Sequence, residues 1–139
     1  MFYKERLEKE GYTIENACIK DVSISMADHG VLTYGITLEG YGWGCVYGGR
    51  CIGHGYLGAK KFDGCGNGLE AMMRIMDIVG VEKWEYLKGK YIRVASKGLG
   101  DTIDIIGNII DDKWFNQREF FSNPESYGKE DKPLIETED

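Results

Sequence analysis

The sequence predicts an α+β fold: an antiparallel sheet of four to six strands packed on one main helix, with short terminal helices. Three observations predict it. Apolar residues alternate with period two over 13–38 and again near 90–95 and 103–110. A single strong helical period, with Leu69, Met72, Met73, Met76 and Val79 on one stripe, spans 67–79. The strands precede this helix and two more follow it, which is not the βαβ alternation of a parallel sheet. With 139 residues, 42% of them hydrophobic, the chain has material for one domain and one core. That domain is expected over 1–122. Beyond it, residues 123–139 hold six acids and two lysines and read as an acidic, disordered tail.

Taken in order, residues 3–10 read as a short helix stopped by Gly11. Residues 13–27 alternate as a strand, but the apolar phase slips after Ile19, which places a bulge near Lys20-Asp21. Asp28, His29 and Gly30 supply turn chemistry. Residues 31–38 follow as a strand with Leu32, Tyr34, Ile36 and Leu38 on one face. Eleven of the 29 residues in 40–68 are glycine. Two short strands, 42–47 and 51–57, are expected there, joined by a turn at Gly48-Gly49, with 60–66 as loop. Helix 67–79 has Asn67 as its expected N-cap and Glu70 completing a capping box, with Gly80 as its stop. Residues 82–87 form one further turn that points Trp84 and Leu87 inward. Strands follow at 90–95 and 103–110, the second broken at Gly107. Asp111-Asp112 then caps a short last helix, 116–121, which docks through Phe120 and Phe121.

Charge excludes some functions. Seventeen basic and 23 acidic residues leave −6, which argues against direct binding of duplex nucleic acid. The first ten residues are charged and lack an apolar core, and no apolar run approaches 18 residues. Neither a signal peptide nor a membrane span is expected, and the four cysteines are expected as reduced cytosolic thiols.

Several constellations could carry chemistry. Cys45, Cys51, His54 and Cys65 offer three thiolates and an imidazole, a donor set that suits a structural zinc ion; small thiols filling gaps between glycines are the plainer explanation. Gly53-His54-Gly55-Tyr56-Leu57-Gly58 spells the dinucleotide-binding glycine pattern, but no helix opens after it, so the motif lacks its physical context. Gly64 to Gly68 leads straight into the main helix, whose free N–H groups at Gly66 and Asn67 could face an anion. Arg50, Lys60 and Lys61 could add charge there, and Trp43, Tyr47 and Tyr56 could stack a base. Together they suit a nucleotide-type ligand; a flexible loop with solubilising lysines explains them as well. Arg93 shares a strand face with Tyr91, as a binding platform or as a solvated face. His29 beside Asp28 sits at a turn. No nucleophile–base pair with a third member and no metalloprotease motif occurs, so no enzyme activity and no catalytic residue is expected.

Several phrases stand together in one chain: Ile14-Glu15-Asn16-Ala17, Asp28 to Thr33, Gly48-Gly49, Lys83 to Val94, and Ile109 to Phe115. As a set, over residues 13–121, they resemble a family of short proteins carried by phages and prophages of Gram-positive gut bacteria. The resemblance implies a cytoplasmic role in the infected host cell and carries no catalytic site. Small phage proteins of this kind are often antagonists of bacterial immunity. One expectation is a non-catalytic inhibitor that binds a host defence protein stoichiometrically, as anti-CRISPR proteins do. An alternative is a sponge for a cyclic nucleotide or nucleotide-derived signal, as anti-Thoeris and anti-CBASS proteins are. A third is a structural or regulatory phage protein with a zinc-stabilised glycine-rich loop. Homo-oligomers are an open expectation, since sheet edges in small proteins are often covered that way.

Overall fold

The computed structural model describes residues 3–98 and 100–128, apart from the side chains of Ala27 and Asp28. The elements are α1 (Tyr3–Lys9), β1 (Thr13–Asp28), β2 (Val31–Gly40), β3 (Trp43–His54), β4 (Asp63–Gly64), α2 (Gly66–Val79), a 3₁₀ turn (Trp84–Leu87), β5 (Tyr91–Ser96), β6 (Ile105–Gly107), β7 (Trp114–Asn116) and α3 (Gln117–Ser122). The strands form one antiparallel sheet in the order β4-β3-β2-β1-β5-β6-β7. The α+β class is as expected; the strand number, seven, exceeds the expected four to six. The additions are short strands of two and three residues, β4 and β7, which single-strand alternation is too brief to reveal.

β1 organises the sheet. Its first part, Thr13–Cys18, pairs with β5, and its second, from Cys18 onward, pairs with β2. At about 3.3 Å per residue, sixteen residues outrun either partner. The ladder shifts between Ile19 and Asp21, where the phase slip had placed a bulge. A bulge bends and twists its strand, so β1 hands the sheet from one set of partners to the other. Its β2 turn carries His29 at φ 50, a left-handed conformation that His tolerates better than most residues.

The expected turn at Gly48-Gly49 does not form. β3 runs straight through, and these glycines make a bulge inside it. Gly48 has φ +113, and a Cβ there would strike the Tyr34 ring and carbonyl, so glycine absorbs the extra residue without ending the strand. The bulge also reverses the inward phase. Tyr47 faces the core before it and Ile52 after it.

α2 forms over the expected stretch but is capped differently. Cys65 is the extended N-cap residue and makes no side-chain cap; Asn67 lies inside the helix, so the capping box is absent. Glu70 instead accepts from Arg74 Nε at 2.8 Å, one turn on. The buried stripe is Gly68, Ala71, Met72, Ile75 and Ile78, while Leu69 and Met73 stand exposed. The stripe is rotated because Gly68 crosses β3 closely: a Cβ there would overlap the Cys51 carbonyl and Ile52. Gly80 ends the helix in the left-handed region, as expected.

The last quarter also differs. The expected strand 103–110 is only Ile105–Gly107, and residues 114–116 are a strand, not part of a turn into helix. Asn108 shapes the intervening loop by accepting from the backbone N–H groups of Ile110 and Asp111. Asp112 caps the first helix rather than the last: its carboxylate accepts from the N–H of Tyr3 and Lys4 and from the Trp114 indole. α3 takes its cap from Asn116, whose side chain accepts from Glu119 N–H at 3.1 Å.

The main core lies between one sheet face and α2, the 3₁₀ turn and α3, with Ile19, Tyr34, Ile36, Leu87, Ile92, Phe115 and Phe120 nearly inaccessible. A smaller cluster, Leu7, Ala95, Ile105 and Trp114, lies on the other face under α1. Buried polar contacts join the two parts of the sheet. Tyr34 Oη donates to Gln117 Oε1 at 3.3 Å, and Tyr47 Oη donates to the Asp104 carbonyl at 3.1 Å. Packing continues past Ser122: Tyr127 lies against Phe115 and Phe120, and its hydroxyl accepts from Asn116 N–H. Residues 129–139 of the expected tail lie outside the described residues.

Candidate functional site

The residues expected to hold a nucleotide do not converge. Tyr47 is 1% exposed, so its ring offers no face for stacking. Burial pushes the Tyr34 and Tyr47 hydroxyls well above the usual tyrosine range, with Arg50 opposing the shift. Arg50 follows the bulge onto the inner face, where its guanidinium lies 5.1 Å from the centre of the Phe121 ring. Arg93 is committed too. It donates to the carbonyls of Asn108 and Asp111, each at 2.8 Å, and lies over the Trp114 ring. It is a structural tie for the 108–111 loop and not an open platform. Lys60, Lys61, Gly66 and Asn67 are exposed around the start of α2, and Tyr56 is exposed in the loop before them.

The cysteines are similarly divided. Cys51 Sγ lies 3.7 Å from His54 Nε2 and also contacts the Gly53 carbonyl. Cys45 packs against the main core, where burial raises its thiol pKa. Cys65 caps α2 and donates its N–H to the Ile52 carbonyl. Among the described residues, no three His, Cys, Asp or Glu side chains gather as a metal-binding group. Alternation explains the division: Cys45 precedes the β3 bulge and Cys51 follows it, so the thiols sit in different settings.

Two features do stand out. The first is an apolar arm. Tyr56, Leu57 and Phe62 are exposed on the loop between β3 and β4, and Leu69 and Met73 are exposed on α2, with Leu57 at 87%. Leu69 and Met73 are four residues apart and therefore share one helix face. Phe62 lies against Gly55, where a Cβ would meet its ring, so the loop folds back on itself.

The second is a cleft of about 670 Å³ between the tip of the β2–β3 hairpin and the β5–β6 connection. Trp43, Cys45 and Ile103, which pack against the core, form its floor. Thr13, Glu15, Ser96, Asp101 and Thr102 supply polar groups, and Tyr41 stands at the rim. A smaller depression of about 130 Å³ adjoins it and shares Asp101 and Thr102. Arg50, Lys60, Lys61, Gly66, Asn67 and Arg93 line neither. Of the expected ligand residues, Trp43 alone lines the cleft. Its indole N–H is buried without an acceptor among the described residues.

Sequence reasoning missed Glu15, Tyr41, Asp101 and Thr102. They come from three distant stretches, and no local motif links them. The usable signal was the mismatch in strand length: β1 is longer than β2, so part of it had to extend beyond that partner. No protein-family model matches the chain, and no match to it emerges from the curated proteins or the solved structures. Among the described residues, no helix is long and apolar enough to cross a membrane.

Proposed function

We propose that this chain is a phage-encoded, non-catalytic inhibitor of host defence that binds a defence effector protein stoichiometrically in the cytoplasm of the infected cell. The observation that carries the reading is the apolar arm. Burying a large apolar side chain is worth about 1.5–3 kcal/mol. Tyr56, Leu57, Phe62, Leu69 and Met73 leave that energy unused within the one stretch 56–73. Exposed apolar groups in such number favour a protein partner. The net charge of −6 favours one with a basic surface, as nucleic-acid-handling effectors have. A sponge for a phosphorylated nucleotide draws less support, because the basic residues meant for phosphate line neither depression. A zinc-stabilised loop has only the Cys51–His54 contact in its favour.

The test is a plaque assay in hosts that each carry one defence system active against a test phage. Expression of the chain restores plaquing in at least one host. Leu57→Asp combined with Phe62→Asp loses that restoration while the melting temperature stays within a few degrees. Failure to restore plaquing in any host, or full restoration by the double variant, overturns the reading.

A further inference from the structure

We infer that the cleft beside Glu15 and Trp43 is a binding site for an organic cation, a guanidinium or alkylammonium group. The site uses none of the exposed residues of the apolar arm and stands without the proposed function. Its origin lies in the topology. The β1–β2 ladder stops at the pair Cys18 and Glu39, while β1 runs on to Thr13 beside β5. The hairpin tip at Tyr41–Gly42 therefore parts from β1, and among the described residues nothing covers the inner sheet face at this end. The resulting volume, about 670 Å³, lies within the range of small-ligand sites.

The lining sets the sign of the ligand. Among the described residues, Glu15 and Asp101 are its charged residues, and no lysine or arginine lines it. Glu15 is half-buried and has no ion pair or hydrogen bond among the described residues. A carboxylate drawn partly out of water is unfavourable without a counter-charge. The neighbouring cations among the described residues are engaged elsewhere. Lys97 Nζ lies 4.8 Å from the centre of the Tyr12 ring, and Arg118 Nε is 3.2 Å from Asp104 Oδ2. Asp101 is held in place, since one of its oxygens accepts from Lys97 N–H at 2.9 Å. Trp43 and Tyr41 add aromatic surface, which attracts a cation through the ring quadrupole. The hydroxyls of Thr13, Ser96 and Thr102 can accept further N–H bonds. A phosphate would meet two carboxylates and no cation. A guanidinium or ammonium on a short apolar stem satisfies both the acids and the rings.

Isothermal titration of the full chain tests this. The probes are agmatine, butylamine and the capped tripeptide acetyl-Gly-Arg-Gly-amide, with butylurea as a neutral analogue and adenosine monophosphate as a phosphate control. The cations bind, and butylurea binds at least tenfold more weakly. Glu15→Gln weakens agmatine about fivefold. Tyr41→Ala, at a side chain 99% exposed and so without a role in the core, weakens it about twofold. Amide NMR of the unaltered protein needs no variant to fold: agmatine shifts the resonances of Glu15, Trp43 and Thr102. A tripeptide tighter than agmatine assigns the cation to a protein partner's side chain, and the reverse order assigns it to a free amine. Equal binding of butylurea, tighter binding of the phosphate control, shifts that map elsewhere, or no binding of any cation at millimolar concentration overturns the inference.

Discussion

The β5–β6–β7 half of the sheet, with α3 after it, and the glycine-rich arm carry the same kinds of side chain and use them oppositely. In the first, Arg93 spends its guanidinium on backbone carbonyls and on the Trp114 ring, and Phe115 and Phe120 are sealed. In the second, Lys60 and Lys61 stand in solvent and Phe62 is 61% exposed. Groups satisfied internally in this way support the fold, although Tyr91 and Ile110 of the same half stay 64% and 83% exposed. Where apolar side chains stay in solvent, further burial energy remains available.

The largest effect that would sharpen this contrast is a core truncation. Phe120→Ala is expected to cost about 3–5 kcal/mol in urea unfolding, whereas Phe62→Ala is expected to change stability by about 0.5 kcal/mol or less. Similar losses at both sites would erase the distinction between the halves. Next comes a glycine pair at one helix end. Gly68→Val drives a side chain into the β3 backbone and costs about 3 kcal/mol. Gly66→Ala, with open space around its Cβ, is neutral or stabilises by up to about 1 kcal/mol. Melting curves of both variants report it.

A smaller effect is expected at the arginine. Arg93→Ala leaves the 108–111 carbonyls without their donor and costs about 1–3 kcal/mol, while Lys61→Ala leaves the melting temperature unchanged. The last effect shows only at alkaline pH. Burial raises the hydroxyl pKa of Tyr34 and Tyr47 above the ordinary value of 10.0, and that of Tyr3 to about 12. The unfolded chain then releases protons from pH 10 upward, while the folded one retains them. The stabilisation is complete below pH 10 and is lost as pH rises above it. Melting temperatures between pH 9 and 12 fall accordingly, and Tyr47→Phe makes the fall shallower. An unchanged slope in that variant would place the buried titration elsewhere.

How much was legible depends on how local the cause was. The bulge at Lys20 appeared in the sequence because a phase slip is written in adjacent residues. So did the stops at Gly11 and Gly80 and the docking of Leu87 and Phe120. Gly48-Gly49 misled, because the same two glycines can serve a turn or a bulge, and the choice rests with Tyr34 on the neighbouring strand. The candidate site was less legible than the fold. Tyr47, Arg50 and Arg93 looked like ligand groups because their types suit a ligand. Asp104, Phe121 and the 108–111 carbonyls, distant in sequence, claim them instead.

By itself, the sequence determined the fold class, the acidic balance, the position of the main helix and the strands long enough to show a period. Each follows from composition or from residues within a few positions of one another. Only the tertiary structure decided which face α2 buries, because Gly68 and the β3 backbone set that rotation together. It also decided that β1 serves two partners, and hence that a cleft opens where they diverge. Glu15 and Asp101 share that cleft because β1 and the β5–β6 connection, distant in sequence, bring them to it, and no local pattern in the sequence encodes such a meeting.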